Sequence, residues 1–197
     1  MGAEDKKRLR KQILAVRDAM PQEMYRESSR QILETLLEMQ SYRESDTILT
    51  YVNYRSEVRT TDLVNRALAD GKRVFVPKVS GERMDFYRIT GMEALHEGYQ
   101  GIREPVSGQV FGPETDTGHA LMLMPGAVFD ESCHRIGYGK GFYDRYLREL
   151  SEMGVTVKTL ALCFECQVLA AIPWEIHDIR PQMILSETKL RCGKEFT

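Results

Sequence analysis

The segment RIGYGKGFYD at residues 135–144 combines residue types that together bind phosphate groups. Three glycines on alternate positions, from Gly137 to Gly141, free the backbone to turn with positive φ and to present successive N–H groups to an anion. Arg135 and Lys140 add charged donors for phosphate oxygens. A helix is predicted to begin at the end of this segment, and its N-terminal dipole would favour the same anion.

The segment matches neither standard phosphate-binding motif. A P-loop needs a glycine five residues before its Gly-Lys pair and Ser or Thr after it, and here His134 and Gly141 occupy those positions. Phe142 stands where the dinucleotide-binding fingerprint has its last glycine. The anion site is therefore predicted from the physical properties of the residues and not from a motif.

Asp144 follows in the first predicted helical turn and offers a carboxylate beside the predicted anion site. Mg²⁺ prefers oxygen ligands and commonly takes only one or two carboxylates from a protein. The segment thus predicts a site for the phosphates of a nucleotide and its magnesium ion. A flexible turn with a capping acid is the alternative.

Two amphipathic helical patterns open the chain. The first is basic at its front, and its predicted apolar stripe consists of Leu9, Ile13, Val16 and Met20. Pro21 suits the first turn of the second helix. The predicted stripe of that helix consists of Ile32, Leu33, Leu36 and Leu37.

From residue 47 onward, short apolar runs alternate with helical segments. A helix over TTDLVNRALADG is predicted to have a Thr N-cap and to stop at Gly71, and another over 141–153 to stop at Gly154. Strands joined by helices of ten or more residues imply right-handed crossovers and a largely parallel sheet covered on both faces. We predict an α/β fold, a three-layer α/β/α single domain that spans residues 1–197.

Three polar segments follow predicted strands: YRSE at 54–57, the stretch from PGAVFD to RIGYGKG at 125–141, and FECQ at 164–167. Ligands of such folds bind beyond the carboxyl ends of the strands, so these segments are expected to converge on one crevice. The stretch 91–118 has few periodic apolar positions, and a loop of that length is usually functional or disordered. We interpret it as a cover over the crevice.

Composition limits the classes of function. The chain has 197 residues, of which 42% are hydrophobic and 28% charged, and these proportions suit one compact domain. A net charge of -2 does not favour nucleic acid as a partner. The charged N-terminus is unlike a secretory signal, and no apolar run approaches a membrane span. We expect a cytoplasmic monomer that binds small molecules.

The chain has four cysteines, at positions 133, 163, 166 and 192. Cys163 and Cys166 form a CxxC pair, but their sequence context predicts a strand, on which residues three apart point to opposite faces. A second pair at zinc-ligand spacing is missing from the sequence. We therefore predict packed, reduced thiols.

Several segments together resemble the 5-formyltetrahydrofolate cyclo-ligases, also called 5,10-methenyltetrahydrofolate synthetases. The most specific match is MPGAVFDESCHRIGYGKGFYDRYL, and further matches in the family's order are KKRLR, EVRT, REP and IPWEIHDI. The resemblance implies an ATP- and Mg²⁺-dependent closure of 5-formyltetrahydrofolate to 5,10-methenyltetrahydrofolate. ATP would phosphorylate the formyl oxygen, N10 would attack the activated carbon, and ADP and phosphate would be released.

The resemblance also implies which residues contact ATP. Arg135 and Lys140 would act on the γ-phosphate as catalytic residues, and Tyr143 would act at the boundary between ATP and folate. The implied ATP-binding residues are Lys6, Lys7, Arg8, Leu9, Arg10, Arg135, Ile136, Gly137, Tyr138, Gly139, Lys140, Gly141, Phe142 and Tyr143. Without the resemblance, the cluster KKRLR would be interpreted as a solvated basic helix face.

The implied substrate-binding residues are Arg10, Val52, Glu57 and Tyr143, and the implied metal ligands are Asp144 and Asp178. A carboxylate such as Glu57 can accept two hydrogen bonds from the amino-pyrimidinone edge of a pterin. By residue type alone, Glu57 could equally be a cap or a surface ion-pair partner, Val52 a core residue and Asp178 a turn acid. Phe142 stands where the family often has Tyr, which leaves stacking but no hydroxyl.

Two other functions fit part of this pattern. One is an ATP-dependent kinase or ligase that acts on another pterin or on a thiamine-related heterocycle. Glu57 discriminates here, because a substrate without the donor pair of a pterin would have no use for this carboxylate. The other is a non-catalytic nucleotide-binding regulator, which would bind ATP without turnover. Retention of Asp144 and Asp178 together favours a magnesium-dependent enzyme.

Overall fold

The structure is a computed structural model that describes residues 2–193. Its five α-helices, within those residues, are α1 (Ala3–Asp18), α2 (Gln22–Glu38), α3 (Gln40–Glu44), α4 (Thr61–Ala69) and α5 (Phe142–Glu152). Short 3₁₀ turns lie at Met92–Ala94, Tyr99–Gly101 and Glu165–Gln167. The sequence predicted the four longer helices, and α3 was not predicted.

The strands in chain order are β1 (Thr47–Leu49), β2 (Arg73–Ser80), β3 (Arg83–Ile89), β4 (Leu95–Glu97), β5 (Arg103–Pro105), β6 (Ala120–Met124), β7 (Val128–Asp130), β8 (Arg135–Ile136), β9 (Lys158–Leu162), β10 (Val168–Leu169), β11 (Met183–Leu185) and β12 (Leu190–Cys192). Seven of them form one sheet in the order β12-β11-β9-β6-β1-β2-β3. The five central strands are parallel, and β3 and β12 pair antiparallel at the two edges. The prediction of a largely parallel sheet is confirmed.

Alternation along the central strands divides the core between the two faces of the sheet, because successive side chains point to opposite sides. Ile48 and Val74 pack in one apolar cluster with residues of α2 and α4. Leu49 and Phe75 pack in a second cluster with residues of α5. The sheet is therefore covered by helices on both faces, which confirms the predicted three-layer α/β architecture.

A small second sheet supports the N-terminal helix. Its strand order is β10-β7-β8, and its apolar residues pack against Leu9, Ile13 and Leu14 of α1. The predicted stripe on this helix was partly wrong, because Val16 is 53% exposed and Leu14 is the residue that packs inward. The helix buries only a narrow face because it lies across a sheet of three short strands.

Two further predictions about local structure are wrong. Thr60 precedes α4 at the N-cap position, but its hydroxyl donates to the Tyr51 carbonyl oxygen at 2.7 Å and does not cap the helix. Strand β9 ends at Leu162, so Cys166 lies in a 3₁₀ turn and not on the strand. All four cysteines are free thiols.

The segment 91–118 is not a bare loop. It contains the antiparallel pair β4 and β5 and two 3₁₀ turns.

In residues 2–193 no helix is long and apolar enough to cross a membrane.

Candidate active site

The glycine loop, residues 137–141, connects β8 to the N-terminus of α5. Gly139 has φ +96° and Gly141 has φ +63°, conformations in which residues with a Cβ are strained. A Cβ at Gly137 would lie 3.0 Å from a nitrogen of the Arg135 guanidinium, and one at Gly139 would lie 3.5 Å from that of Arg10. The loop thus follows a path that glycine permits and runs between two cations.

Helix α1 turns two of its predicted cations toward this region. Arg10 donates from Nε to the Gly137 carbonyl oxygen at 2.7 Å. Lys6 lies 2.5 Å from Asp178 Oδ2 and 3.1 Å from Glu175 Oε1, and its pKa is raised by these two carboxylates against the effect of burial. The first turn of α1 is therefore fastened to the loop that carries the predicted metal ligand.

The other residues of KKRLR differ in position. Lys7 and Arg8 are exposed, and Arg8 pairs with Asp5 on its own helix. Leu9 packs on the apolar cluster of the small sheet, which also buries Ile136. Lys6 and Arg10 are thus the residues of this motif whose side chains reach the glycine loop or its neighbouring carboxylates.

The two predicted metal ligands lie close together. Asp144 Oδ1 accepts hydrogen bonds from Arg135 at 3.1 Å and from the backbone N–H of Ile179 at 3.0 Å, and Ile179 directly follows Asp178. Each carboxylate is paired with a cation, Asp144 with Arg135 and Asp178 with Lys6. Two carboxylates on adjoining segments would fit the small number of protein ligands that Mg²⁺ takes when phosphates supply the rest.

The described residues contain no group of three or more His, Cys, Asp or Glu side chains that could hold a metal ion. Asp144 and Asp178 therefore do not belong to such a group within residues 2–193. Their assignment as metal ligands stays a prediction.

A cavity of about 350 Å³ lies next to the glycine loop. Val52, Glu57 and Tyr143, three of the four predicted substrate-binding residues, line it, whereas Arg10 does not. Lys140 and Phe142 line the side of the cavity nearest the loop. The remaining lining residues are Leu14, Arg17, Asp18, Tyr51, Tyr54, Arg55, Pro77, Val79, Met84, Tyr99, Gln100, Ile102, Glu104, Pro125 and Tyr138.

The predicted cover contributes to this cavity. Tyr99, Ile102 and Glu104 of the segment 91–118 line it, and the Tyr99 ring lies edge-on to Phe142 with centroids 6.1 Å apart. Glu104 is held in place because it accepts a hydrogen bond from the Val79 backbone N–H at 3.1 Å. The cover and the glycine loop thus form facing walls.

Glu57 is a buried carboxylate in the cavity wall, 8% exposed. Its Oε2 accepts a hydrogen bond from the Tyr54 backbone N–H at 2.8 Å. Burial raises the pKa of this carboxyl, while the Tyr138 hydroxyl, the Tyr54 N–H and the Arg17 charge oppose the rise. A buried acid at a cavity surface is arranged to meet hydrogen-bond donors of a ligand.

Tyr143 has a buried hydroxyl without a hydrogen-bond partner among the described residues. Burial raises the pKa of this phenol, so it stays protonated at neutral pH. The Arg135 guanidinium lies 5.7 Å from the ring centroid, and the Arg135 Nε is likewise buried without a partner in the described chain. Orphaned buried polar atoms at a cavity are expected where a ligand supplies the missing partner.

FECQ is the third polar segment that was expected at the crevice. Gln167 donates from Nε2 to the carbonyl oxygens of Gly126 and Ala127 at 2.9 and 3.1 Å and so supports the backbone beside the glycine loop. Glu165 instead pairs with Arg191, outside the cavity lining. Neither residue lines the cavity, so the expected convergence of this segment on the crevice is not observed.

Sequence reasoning missed Arg17. This residue lines the cavity from α1, is 4% exposed, and contacts the glycine loop through Tyr138. Its distance of seven residues from Arg10 is two helical turns, which places both cations on one helix face. That spacing was the available signal.

Comparisons with known proteins agree on one family. The family model described as the 5-formyltetrahydrofolate cyclo-ligase family matches residues 2–187. The protein of Schizosaccharomyces pombe named probable 5-formyltetrahydrofolate cyclo-ligase is 30% identical over 172 residues, which cover 81% of this chain and 83% of that one. The mouse 5-formyltetrahydrofolate cyclo-ligase is 31% identical over 153 residues, 74% of this chain and 75% of its own.

Solved structures give the same result. The NMR structure of Aquifex aeolicus 5,10-methenyltetrahydrofolate synthetase superimposes with a TM-score of 0.82 at 28% identity, covering 98% of this chain and 94% of that one. A 5,10-methenyltetrahydrofolate synthetase from Mycoplasma pneumoniae shares the fold, with a TM-score of 0.73 at 22% identity over 93% of this chain and 99% of its own.

Proposed function

The chain belongs to the 5-formyltetrahydrofolate cyclo-ligase family, and from this premise we propose that it closes 5-formyltetrahydrofolate to 5,10-methenyltetrahydrofolate at the expense of ATP. The observation that carries the proposal is the cavity whose walls include both Glu57 and Lys140 of the glycine loop. One wall thus suits a pterin and the adjoining wall suits phosphates, which is what a reaction between the two substrates requires.

The pterin would lie against Glu57. The ionised carboxylate can accept hydrogen bonds from the 2-amino group and the neighbouring ring N–H of a pterin. Val52 lies at 8% exposure in the same wall and offers an apolar surface to the ring. The orphaned hydroxyl of Tyr143 would gain a partner from the substrate or from a phosphate.

The phosphates of ATP would lie along the glycine loop. Its backbone N–H groups and the N-terminus of α5 favour an anion, and Lys140 and Arg135 supply positive charge. Arg10 supports the loop from behind through the Gly137 carbonyl oxygen. These groups would position the terminal phosphate and compensate its charge during transfer.

The proposed reaction has two chemical steps. The formyl oxygen attacks the γ-phosphorus of ATP, the bond from that phosphorus to the ADP oxygen breaks, and a phosphorylated formyl group forms. N10 then attacks the formyl carbon, and this new N–C bond closes the five-membered ring. Loss of the N10 proton and cleavage of the C–O bond, with the oxygen leaving as part of phosphate, give the methenyl product. ATP is needed because a formyl oxygen is a poor leaving group until it is phosphorylated. The role of the protein is to hold the formyl oxygen in line with the γ-phosphate.

Asp144 and Asp178 would hold Mg²⁺. When bound, this ion neutralises charge on the β- and γ-phosphates of ATP. The cations Arg135 and Lys6, which pair with the two carboxylates, would then be free to contact phosphate oxygens. A cytoplasmic location and a monomeric state stay predictions.

The test is a spectrophotometric assay of the purified protein with 5-formyltetrahydrofolate, ATP and magnesium. We expect the near-ultraviolet absorption of the methenyl product to appear at a rate proportional to enzyme, and to stop when ATP or magnesium is omitted. Phosphate release should equal product formation one to one. ATP binding without turnover of this substrate would refute the proposal and favour a regulator, and turnover of another heterocycle alone would favour the related kinases and ligases.

A further inference from the structure

Arg17 is a buried cation that connects three elements of the cavity wall. Its Nε lies 3.0 Å from the Ser56 hydroxyl, which precedes Glu57, and its NH1 donates to the Tyr138 hydroxyl at 2.9 Å. The helix α1, the turn at Glu57 and the glycine loop therefore meet at one side chain.

The Tyr138 hydroxyl is held by polar contacts. The residue is 42% exposed, yet its hydroxyl is directed inward between Arg17 and the Gly126 carbonyl oxygen, to which it donates at 3.4 Å. The Arg17 guanidinium also lies over the ring, 5.9 Å from its centroid, so Arg17 contacts both the hydroxyl and the face of Tyr138. Tyr138 in turn forms part of the cavity wall.

The partners of Arg17 explain why its charge matters. Ser56 and Tyr138 are neutral hydroxyls, and a buried guanidinium with only neutral partners is costly unless acids lie nearby. Burial lowers the pKa of Arg17, but the Tyr138 hydroxyl and the charges of Glu57 and Asp18 outweigh it, so this pKa is raised. The positive charge of Arg17 is thus compensated partly by the carboxylate assigned to the pterin.

We propose that Arg17 is a positioning residue, which fixes Tyr138 and with it the glycine loop against the turn that carries Glu57. The inference rests on the proposed function, since it concerns the alignment of the folate and phosphate halves of that site. The proposed role of Arg17 is to determine the relative position of the elements that carry Glu57 and the glycine loop.

A second consequence concerns the ionisation of Glu57. Arg17 and Tyr138 both favour the charged form of this carboxylate, against its burial. Loss of the Arg17 charge should therefore move the pKa of Glu57 further upward. The groups that act on Glu57 or whose own pKa it affects are the Tyr54 N–H, Arg17, Tyr25, Tyr51, Tyr138 and Tyr143.

The experiment compares Arg17→Met, Arg17→Lys, Tyr138→Phe and the double variant Arg17→Met/Tyr138→Phe. Lys11→Met is the matched control, because Lys11 is an exposed cation on the same helix. Steady-state rates are measured against 5-formyltetrahydrofolate and against ATP from pH 5 to 9, and folate binding is measured by calorimetry. Thermal unfolding of each variant identifies losses that come from misfolding.

We expect Arg17→Met to lower kcat/KM for the folate by roughly ten- to hundredfold, mainly through KM, since one or two hydrogen bonds from a charged group are lost. Its acid limb should move to higher pH. Arg17→Lys keeps the charge but not the forked geometry, so it should restore the pH profile and only part of KM. Adding Tyr138→Phe to Arg17→Met should cost less than Tyr138→Phe costs in the wild type, because the contact between the two residues is already broken.

The inference is overturned if Arg17→Met keeps the wild-type folate KM and pH profile, or if the losses of the two single variants multiply in the double variant. The same holds if Arg17→Lys fails to restore the acid limb. A wild-type protein that neither binds nor converts 5-formyltetrahydrofolate would instead refute the proposed function, and the inference with it. If Arg17→Met does not fold, the folate KM of Arg17→Lys is compared with that of Tyr138→Phe, because both variants change the contact between residue 17 and the Tyr138 hydroxyl. A wild-type folate KM in both variants then overturns the inference.

Discussion

Replacing Glu57 by Gln tests the assignment of the pterin site with little change in shape. The carboxylate already uses Oε2 to accept from the Tyr54 N–H, and an amide can keep that contact through its single oxygen. In the glutamine variant an NH₂ group replaces the second carboxylate oxygen. This group is a donor and cannot accept a hydrogen bond from a ligand N–H. One of the two pterin hydrogen bonds to a charged acceptor is therefore lost.

The size of the effect follows from the burial of this group. A hydrogen bond to a charged group contributes about 1.5–3 kcal/mol, which corresponds to roughly a 10- to 150-fold change in affinity. Glu57 is 8% exposed, so water does little to replace the lost partner. We expect Glu57→Gln to raise the folate KM by that factor, with kcat reduced less because Glu57 is assigned to the ring and not to the formyl group.

The pH dependence of the folate KM is an independent test of the same assignment. Burial raises the pKa of the Glu57 carboxyl above its ordinary value. The ionised form is needed to bind the pterin, so the wild-type KM should rise as pH falls through this raised pKa. The acid limb should be absent or weaker in Glu57→Gln, because the amide does not titrate.

Stability should change in the opposite direction. A carboxyl with a raised pKa in the folded state stabilises the fold most when it is protonated, and the free energy of unfolding decreases as pH rises through that pKa. The amide of Glu57→Gln does not titrate, so the Tm of this variant should lack the decrease that the wild type shows as pH rises through the raised pKa of Glu57. The measurements are initial rates by absorbance and thermal unfolding by circular dichroism. A folate KM within threefold of the wild type in a folded variant would refute the assignment.

Two further predictions concern the phosphate side of the site. Asp144→Ala should abolish turnover at any magnesium concentration. Asp144→Asn is the control, because its side chain keeps an acceptor for the Ile179 N–H. Full activity of Asp144→Ala over a magnesium titration would show that Asp144 is not a metal ligand. Tyr143→Phe should lower kcat/KM by about tenfold while Tm stays the same or rises, because the wild-type hydroxyl is buried without a partner in the described structure. Equal kinetics of the wild type and Tyr143→Phe would show that the hydroxyl meets no ligand in the reaction.

The fold was predictable because its central strands are short and strongly apolar. Runs such as that of β6, whose five residues are all buried, have no plausible location other than the middle of a covered sheet. The short helix α3 was missed because five residues carry too little periodicity to be distinguished from a turn. Thr60 was misassigned because a hydroxyl before a helix has several acceptors within reach, and the Tyr51 carbonyl was the one it bonded.

The site was predictable where a residue type was tied to a motif. Val52 and Glu57 lie in one cavity with Tyr143, although Tyr143 is more than 80 residues away from them in the sequence. The cations of α1 were harder, because a helix with several Lys and Arg residues does not reveal which of them are buried. Arg17 lies beyond the basic cluster at the front of the helix, and only its helical phase relative to Arg10 connects it to the site.

Helix α1 contacts three separate parts of the site. Lys6 reaches the loop of Asp178, Arg10 the glycine loop and Arg17 the turn before Glu57, all from one continuous helix. With a rise of about 1.5 Å per residue, the first and last of these anchor points are separated by roughly 16 Å along a rigid axis. The helix therefore fixes the distance between the loop of Asp178 and the turn before Glu57. A displacement of the helix along its axis would move both contacts together.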